Sequence, residues 1–136
     1  MSLEWSLDVF GLAHRLGVYT TCVTNGYLAP EATLRCAAER MNGRVGSDVP
    51  WHVSGYQPVY RFTWPPTPVD KLDRTWHIGK QAGLNHVYLG NVPGHSRDNT
   101  YCPARGALLM KRLGFDVQLN VIQDGLCPAH LSQVAR

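Results

Sequence analysis

The chain has 136 residues, 44% of them hydrophobic and 17% charged, which is material for one domain. It is shorter than the roughly 200–250 residues that a closed eight-unit α/β barrel takes. The net charge of +3 comes from scattered Lys and Arg, with only Lys111–Arg112 as a short basic pair, so a nucleic-acid groove is not expected. No apolar run nears the ~20 residues that span a bilayer.

The N-terminal Met-Ser-Leu-Glu-Trp enters an amphipathic pattern and lacks the features of a secretory signal. The four cysteines are therefore expected to be thiols or metal ligands in a reducing compartment, and the chain cytoplasmic. Leu3, Leu7, Phe10 and Ala13 recur at helical spacing, and Gly17 offers a stop. The β-branched run Val18 to Thr24 predicts a buried strand, ended by the turn Asn25-Gly26. Pro30 and Glu31 then open a helix over Ala32–Met41.

Residues Asn42 to Pro50 are loop-like, and Trp51 to Tyr56 predict a second strand. Prolines 58, 65, 66 and 68 keep the next stretch extended. Thr67 is placed to cap a helix with Pro68 at its first position, running to Gly83. His86 to Gly90 form a third strand. This alternation predicts an α/β fold of parallel strands, a partial (β/α) barrel fragment over residues 1–92 with too few strands to close.

From residue 93 to 136 the texture changes. Tyr101-Cys102-Pro103-Ala104-Arg105 and Leu126-Cys127-Pro128-Ala129-His130 are two copies of one turn. They bracket an apolar stretch whose later members, Val117, Leu119 and Val121, alternate with polar residues as in a half-buried strand. That layout is a small ribbon-like β module of degenerate zinc-ribbon type. Cys102, Cys127 and His130 are the metal candidates, because such turns present their ligands to one point. Arg105 stands where a fourth ligand would be, so zinc would need water, His95 or another group. The alternative is that the metal is lost and the turns survive as hydrophobic corners.

Thr24, Asn25 and Gly26 lie at a strand end, where open α/β folds place ligand contacts, although Asn-Gly is also an ordinary turn. Gly90 to His95 lacks the spacing of a dinucleotide loop, and His95 is expected to be a loop histidine. His52 is expected to be a satisfied buried histidine, and Cys22 and Cys36 small core residues. No Ser-His-Asp set, carboxylate pair or phosphate loop is present.

Several segments resemble the radical S-adenosylmethionine (SAM) enzymes of the AmmeMemoRadiSam group, relatives of pyruvate formate-lyase activating enzyme. They are Val23 to Tyr27 before Pro30-Glu31, Asp48 to Ser54, Pro65 to Pro68, Tyr88 to His95, Asn99 to Pro103, Leu108 to Phe115 and Asp124 to Pro128, in the family's order. The resemblance implies a C-terminal part of such an enzyme, with SAM near Thr24, Asn25 and Gly26. It also implies a [4Fe–4S] cluster on a CxxxCxxC loop, whose reductive cleavage of SAM generates a radical.

The chain departs from that pattern. CxxxCxxC is absent, and the match begins after the family's Glu-Pro-Thr-type motif. Further βα units are missing near residues 40–48, and Gly55-Tyr56-Gln57 replaces Arg-Phe-His. Arg105 and His130 stand where the family has thiolates. The resemblance therefore implies a chain inactive alone, acting as a homodimer or with a separate polypeptide that supplies the missing barrel units. No nucleic-acid or membrane partner is expected. Two other readings stay open: a non-catalytic metal-binding or interaction module, and a degenerate gene product.

Overall fold

The computed structural model describes residues 3–18, 20–27, 29–61, 63–129, 131 and 134, apart from the side chains of 3–5. Its first unit runs α1 (Leu3–Arg15), β1 (Cys22–Asn25), α2 (Glu31–Arg44), β2 (Trp51–Ser54), α3 (Val69–Gln81) and β3 (Val87–Gly90). The second unit is a 3-10 turn (Ser96–Asp98) followed by β4 (Thr100–Tyr101), β5 (Leu108–Leu113) and β6 (Asp116–Asn120). Among the described residues the fold is mixed α/β with three α-helices and two small open sheets.

The first sheet is parallel in the order β1-β2-β3, each strand paired with its successor in the chain. Its register sets Cys22 beside Trp51 and Val87, and Val23 beside His52 and Tyr88. Strand side chains alternate between faces, so Trp51, Val53, Val87 and Leu89 share one face. Against that face pack Leu7 of α1, Leu34, Ala38 and Met41 of α2, and Leu72 and Ile78 of α3. All three helices therefore lie on the same side. At about 25 cal/mol per Å² of apolar area, burying this layer is the main term holding the unit together.

Polar contacts along the helix layer are secondary. Arg74 bridges Glu31 and Asp70 at 2.8 Å each, between exposed groups that solvent screens, so the bridges add little. Asn42 Nδ2 donates to Ala82 O at 2.8 Å, tying the end of α2 to the end of α3.

The second sheet is antiparallel in the order β4-β5-β6, and Gly114, with φ +61°, lies between β5 and β6. Its small core holds Cys102, Leu109, Cys127 and Val134. Arg112 joins the two units. Its Nη1 donates to Asp98 O at 2.8 Å and Thr100 Oγ1 at 3.0 Å, while its guanidinium lies 5.6 Å from the Tyr88 ring.

Several local expectations change. The first strand starts only at Cys22; Thr20 and Thr21 precede it, and Tyr19 lies outside the described residues. Thr67 does not cap α3. Its Oγ1 accepts from Tyr56 N at 2.8 Å while its own N–H donates to Tyr56 O at 3.0 Å, and Pro68 is the residue at the N-cap. The extended proline-rich stretch needs its backbone groups paired, and Thr67 pairs them with the end of β2. Cys36 is exposed on α2, because the buried stripe of that helix runs through Leu34, Ala38 and Met41 instead. Every residue of β6 is exposed, so Val117 and Leu119 have no buried face.

Candidate functional site

One-sided winding leaves the opposite face of the first sheet without helices. Val23, Asn25, His52, Ser54, Tyr88 and Gly90 share it by register. Val23 is 64% exposed there. The His52 ring stacks on Tyr88 with centroids 4.8 Å apart, and the Tyr88 hydroxyl meets Thr100 Oγ1 at 3.2 Å. His52 is thus half-buried on an open face rather than enclosed in the core.

The carboxyl ends of the three strands converge. Asn91, with φ +61°, donates from Nδ2 to Gly55 O at 2.9 Å, and Gln57 Nε2 donates to Asn91 O at 3.2 Å. Asn tolerates that left-handed conformation better than most residues. Tyr27 packs on Tyr56 at 5.0 Å and near Trp64 at 6.3 Å, so three aromatic rings gather beside these ends. The Tyr56 hydroxyl is buried with no hydrogen-bond partner among the described residues. A buried unpaired hydroxyl costs about 1–3 kcal/mol, which a bound ligand or water would offset. These aromatics, at positions 27, 56 and 64, are too far apart in sequence to form a motif.

The strand-end triplet divides by role. Thr24 Oγ1 accepts from Trp51 Nε1 at 2.9 Å, which commits that side chain to the helix-covered face. Asn25 Oδ1 accepts from Tyr27 N at 2.9 Å, the hydrogen bond of an Asx turn, and its amide group remains exposed. At Gly26 a Cβ would stand 3.0 Å from Val53 and 3.2 Å from Leu72, so packing already demands a small residue there. Asn25 is the member of the three whose side chain stands on the open face.

Cys102 and Cys127, 25 positions apart, meet in the second core at 1% and 0% exposure, and neither is in a disulfide. Their turns are closed by the same kind of hydrogen bond. Gly106 N donates to Cys102 O at 2.8 Å and Leu131 N to Cys127 O at 2.7 Å. Gly106 and Leu131 have φ of +67° and +54°. A leucine is strained in that conformation where glycine is not.

His130 lies outside the described residues. His95 caps the 3-10 turn, its Nδ1 accepting from Arg97 N at 3.3 Å. Among the described residues no three His, Cys, Asp or Glu side chains gather to hold a metal. Cys22 on β1 and Cys36 on α2 sit on other elements, so the residues present do not fit a [4Fe–4S] cluster. Among the described residues no helix is long and apolar enough to cross a membrane.

Burial lowers the pKa of two imidazoles. For His52 desolvation is the largest cause, with Arg112 adding to it and Asp98 opposing. For His86 desolvation again leads, opposed by Asp48 and reinforced by Lys80. Above the ordinary imidazole pKa of about 6.5 both folded and unfolded chains carry neutral rings. Below it the unfolded chain takes up protons that the folded rings resist, so stability falls until the folded rings titrate. The urea midpoint should therefore drop between about pH 7.5 and 5.5. A His86→Gln variant should show a shallower drop, and an equal drop would remove His86 from this account.

No protein-family profile and no solved structure matches the chain. It is similar to the uncharacterized protein MJ0808 of Methanocaldococcus jannaschii, at 35% identity over 122 residues. The match takes in 87% of this chain and 37% of the relative. The chain thus spans little more than a third of that relative's length.

Proposed function

We propose that the chain is the C-terminal part of a radical SAM enzyme of the AmmeMemoRadiSam group, a partial (β/α) barrel that cannot form the cluster alone. The observation that carries this reading is a parallel sheet wound in chain order with every helix on one face. Doubly wound folds cover both faces of the sheet with helices, whereas barrels carry their helices on the outside only and turn the other face inward. Here the inner face carries His52, Tyr88, Asn25 and Ser54, and the strand carboxyl ends carry Tyr27, Tyr56 and Trp64. Three aromatic rings and an unpaired hydroxyl are chemistry that a purine and its ribose take. Within the triplet, Asn25 offers SAM its side-chain amide, while Thr24 Oγ1 and Gly26 N–H are paired with Trp51 Nε1 and Ser54 O and shape the strand end that presents it.

The outer edge of the unit supports the need for further βα units. β1 is an edge strand, and Val9, Leu12 and Leu16 of the adjoining α1 region are 44–71% exposed. Open parallel edges with apolar flanks are unfavourable without neighbours. A second copy of the chain or a cluster-bearing polypeptide would cover them.

Anaerobic reconstitution with iron and sulfide tests the first clause. The chain alone should retain no sulfide, and retention would overturn it. Mixing with the N-terminal, CxxxCxxC-bearing part of an enzyme of this group tests the second. Co-elution and SAM binding that weakens with Asn25→Ala are expected; separate elution would overturn the barrel reading.

The matched turns favour a second reading, a small zinc module held by Cys102 and Cys127 with His130 at the third ligand position of its turn. The metal would act there as a cross-link between the two turns. Anaerobically purified protein should then contain about one zinc per chain, lost in Cys127→Ser with a lower melting temperature. Metal-free wild type would leave the turns as hydrophobic corners.

A further inference from the structure

A cavity of about 490 Å³ opens between α3, the outer side of β3 and the Cys102 turn. That is the size of a small-molecule site, about 300–1,000 Å³. It lies toward the amino-terminal end of β3, where Asn85 and His86 stand, opposite the strand ends discussed above. Sequence reading did not find it, because its walls come from segments 76–88 and 96–106, which the fold brings together.

The lining is cationic and aromatic. Lys80 and Arg97 both line the cavity and both lie over the Trp76 indole, at 5.8 and 3.7 Å from its centroid. Among the described residues no carboxylate lines it. The carboxylates nearby are already engaged: Asp73 accepts from Arg97 Nε at 2.6 Å, and Asp48 accepts from Asn85 Nδ2 at 2.7 Å. Lys80 forms no ion pair among the described residues. Its Nζ donates to Asn85 O at 2.9 Å, and an ammonium has further N–H donors. Burial lowers its pKa, as expected for a charge without a counter-ion. Trp76, Val87, Tyr101 and Pro103 supply apolar wall.

We propose that this cavity is a binding site for a small planar aromatic anion, with the ring against Tyr101 and the Trp76 edge and the carboxylate or phosphate on Lys80. An anion restores to Lys80 the partner that the fold withholds, and a ring displaces water from the apolar wall. Arg97 holds the site open: stacked on Trp76 and anchored by Asp73, it fixes the indole as one wall. The site does not depend on the radical SAM reading.

A nitrogen-15 NMR titration of the folded chain with phenyl phosphate tests this, with benzoate, phenol and inorganic phosphate as comparisons. Phenyl phosphate and benzoate should give saturable shifts at the Trp76 indole N–H and the Gly106 and Asn99 amides. Phenol and inorganic phosphate should each bind more weakly. Lys80→Met should weaken phenyl phosphate at least about tenfold, and Lys80→Arg should restore most of it. Should Lys80→Met fail to fold, Tyr101→Ala on the rim gives the same test through the ring contact. Equal binding of phenol would overturn the anion site, and equal binding of inorganic phosphate would overturn the aromatic one. Absent shifts, or shifts confined to Asn25, Ser54 and Gly90, would overturn the proposal outright.

Discussion

Replacing Trp51 with alanine is expected to cost about 3–5 kcal/mol of folding free energy. Trp51 is completely buried at the start of the central strand β2, on the face that α2 and α3 cover. Two losses add. The first is the apolar transfer term together with the cavity left behind, which the rigid sheet closes only in part. The second is the Nε1–H bond to Thr24 Oγ1, whose removal leaves a half-buried hydroxyl to find water. The first dominates, because a single neutral hydrogen bond is worth about 0.5–1.5 kcal/mol net. Domains of this kind are stable by only about 5–15 kcal/mol, so the loss is a large fraction of the whole. Urea unfolding followed by far-ultraviolet circular dichroism measures it. Trp51→Phe keeps much of the volume and should cost less than half as much. A loss below about 1 kcal/mol for the alanine variant would mean the core collapses onto the vacancy, contrary to the rigid packing described.

Gly79→Val is expected to cost at least about 3 kcal/mol, the upper end of ordinary overpacking. A Cβ at this position would stand 2.9 Å from Cε3 and Cζ3 of Trp51 and 2.9 Å from a Val87 methyl. No side chain fits unless α3 lifts from the sheet. Helix propensity acts the other way, since glycine within a helix is worse than alanine by about 1 kcal/mol. Gly79→Ala recovers that gain but meets the same indole, held in place by Thr24, so its net effect should still be destabilising. Valine adds two methyls and gives back part of the propensity gain. Thermal melts of both variants give the order. A stabilised Gly79→Ala would show that α3 can shift without loss. The two predictions are coupled: in the Trp51→Ala background, Gly79→Val should cost less, because the indole clash is gone and only the Val87 contact remains.

Much of the first unit was legible in the sequence for local reasons. The β-branched residues before Asn25 and the apolar spacing of 69–81 are properties of neighbouring residues. So is the proline signal before α2 and α3, although Pro30 and Pro68 both occupy the N-cap rather than the first helical turn. Two sheets of three short strands each, with neither closed, agree with a length that is insufficient for a barrel. The likeness of the two Cys-Pro turns was also visible, and matching hydrogen bonds from Gly106 and Leu131 accompany it.

The tertiary structure decided the rest, because burial and partner choice depend on residues far apart in the chain. The pairing of Thr67 with Tyr56 turned an expected helix cap into a structural bond, and the Thr24 hydroxyl was taken up by Trp51. The exposure of Cys36 followed from which stripe of α2 met the sheet. The helix-free face of Val23 and His52, the ring cluster of Tyr27, Tyr56 and Trp64, and the cationic cavity beside Trp76 have no sequence signal, since each is assembled from several elements. Local propensity determined which segments become helix or strand. Which of their polar groups remain for a ligand was settled only once packing had used up the others.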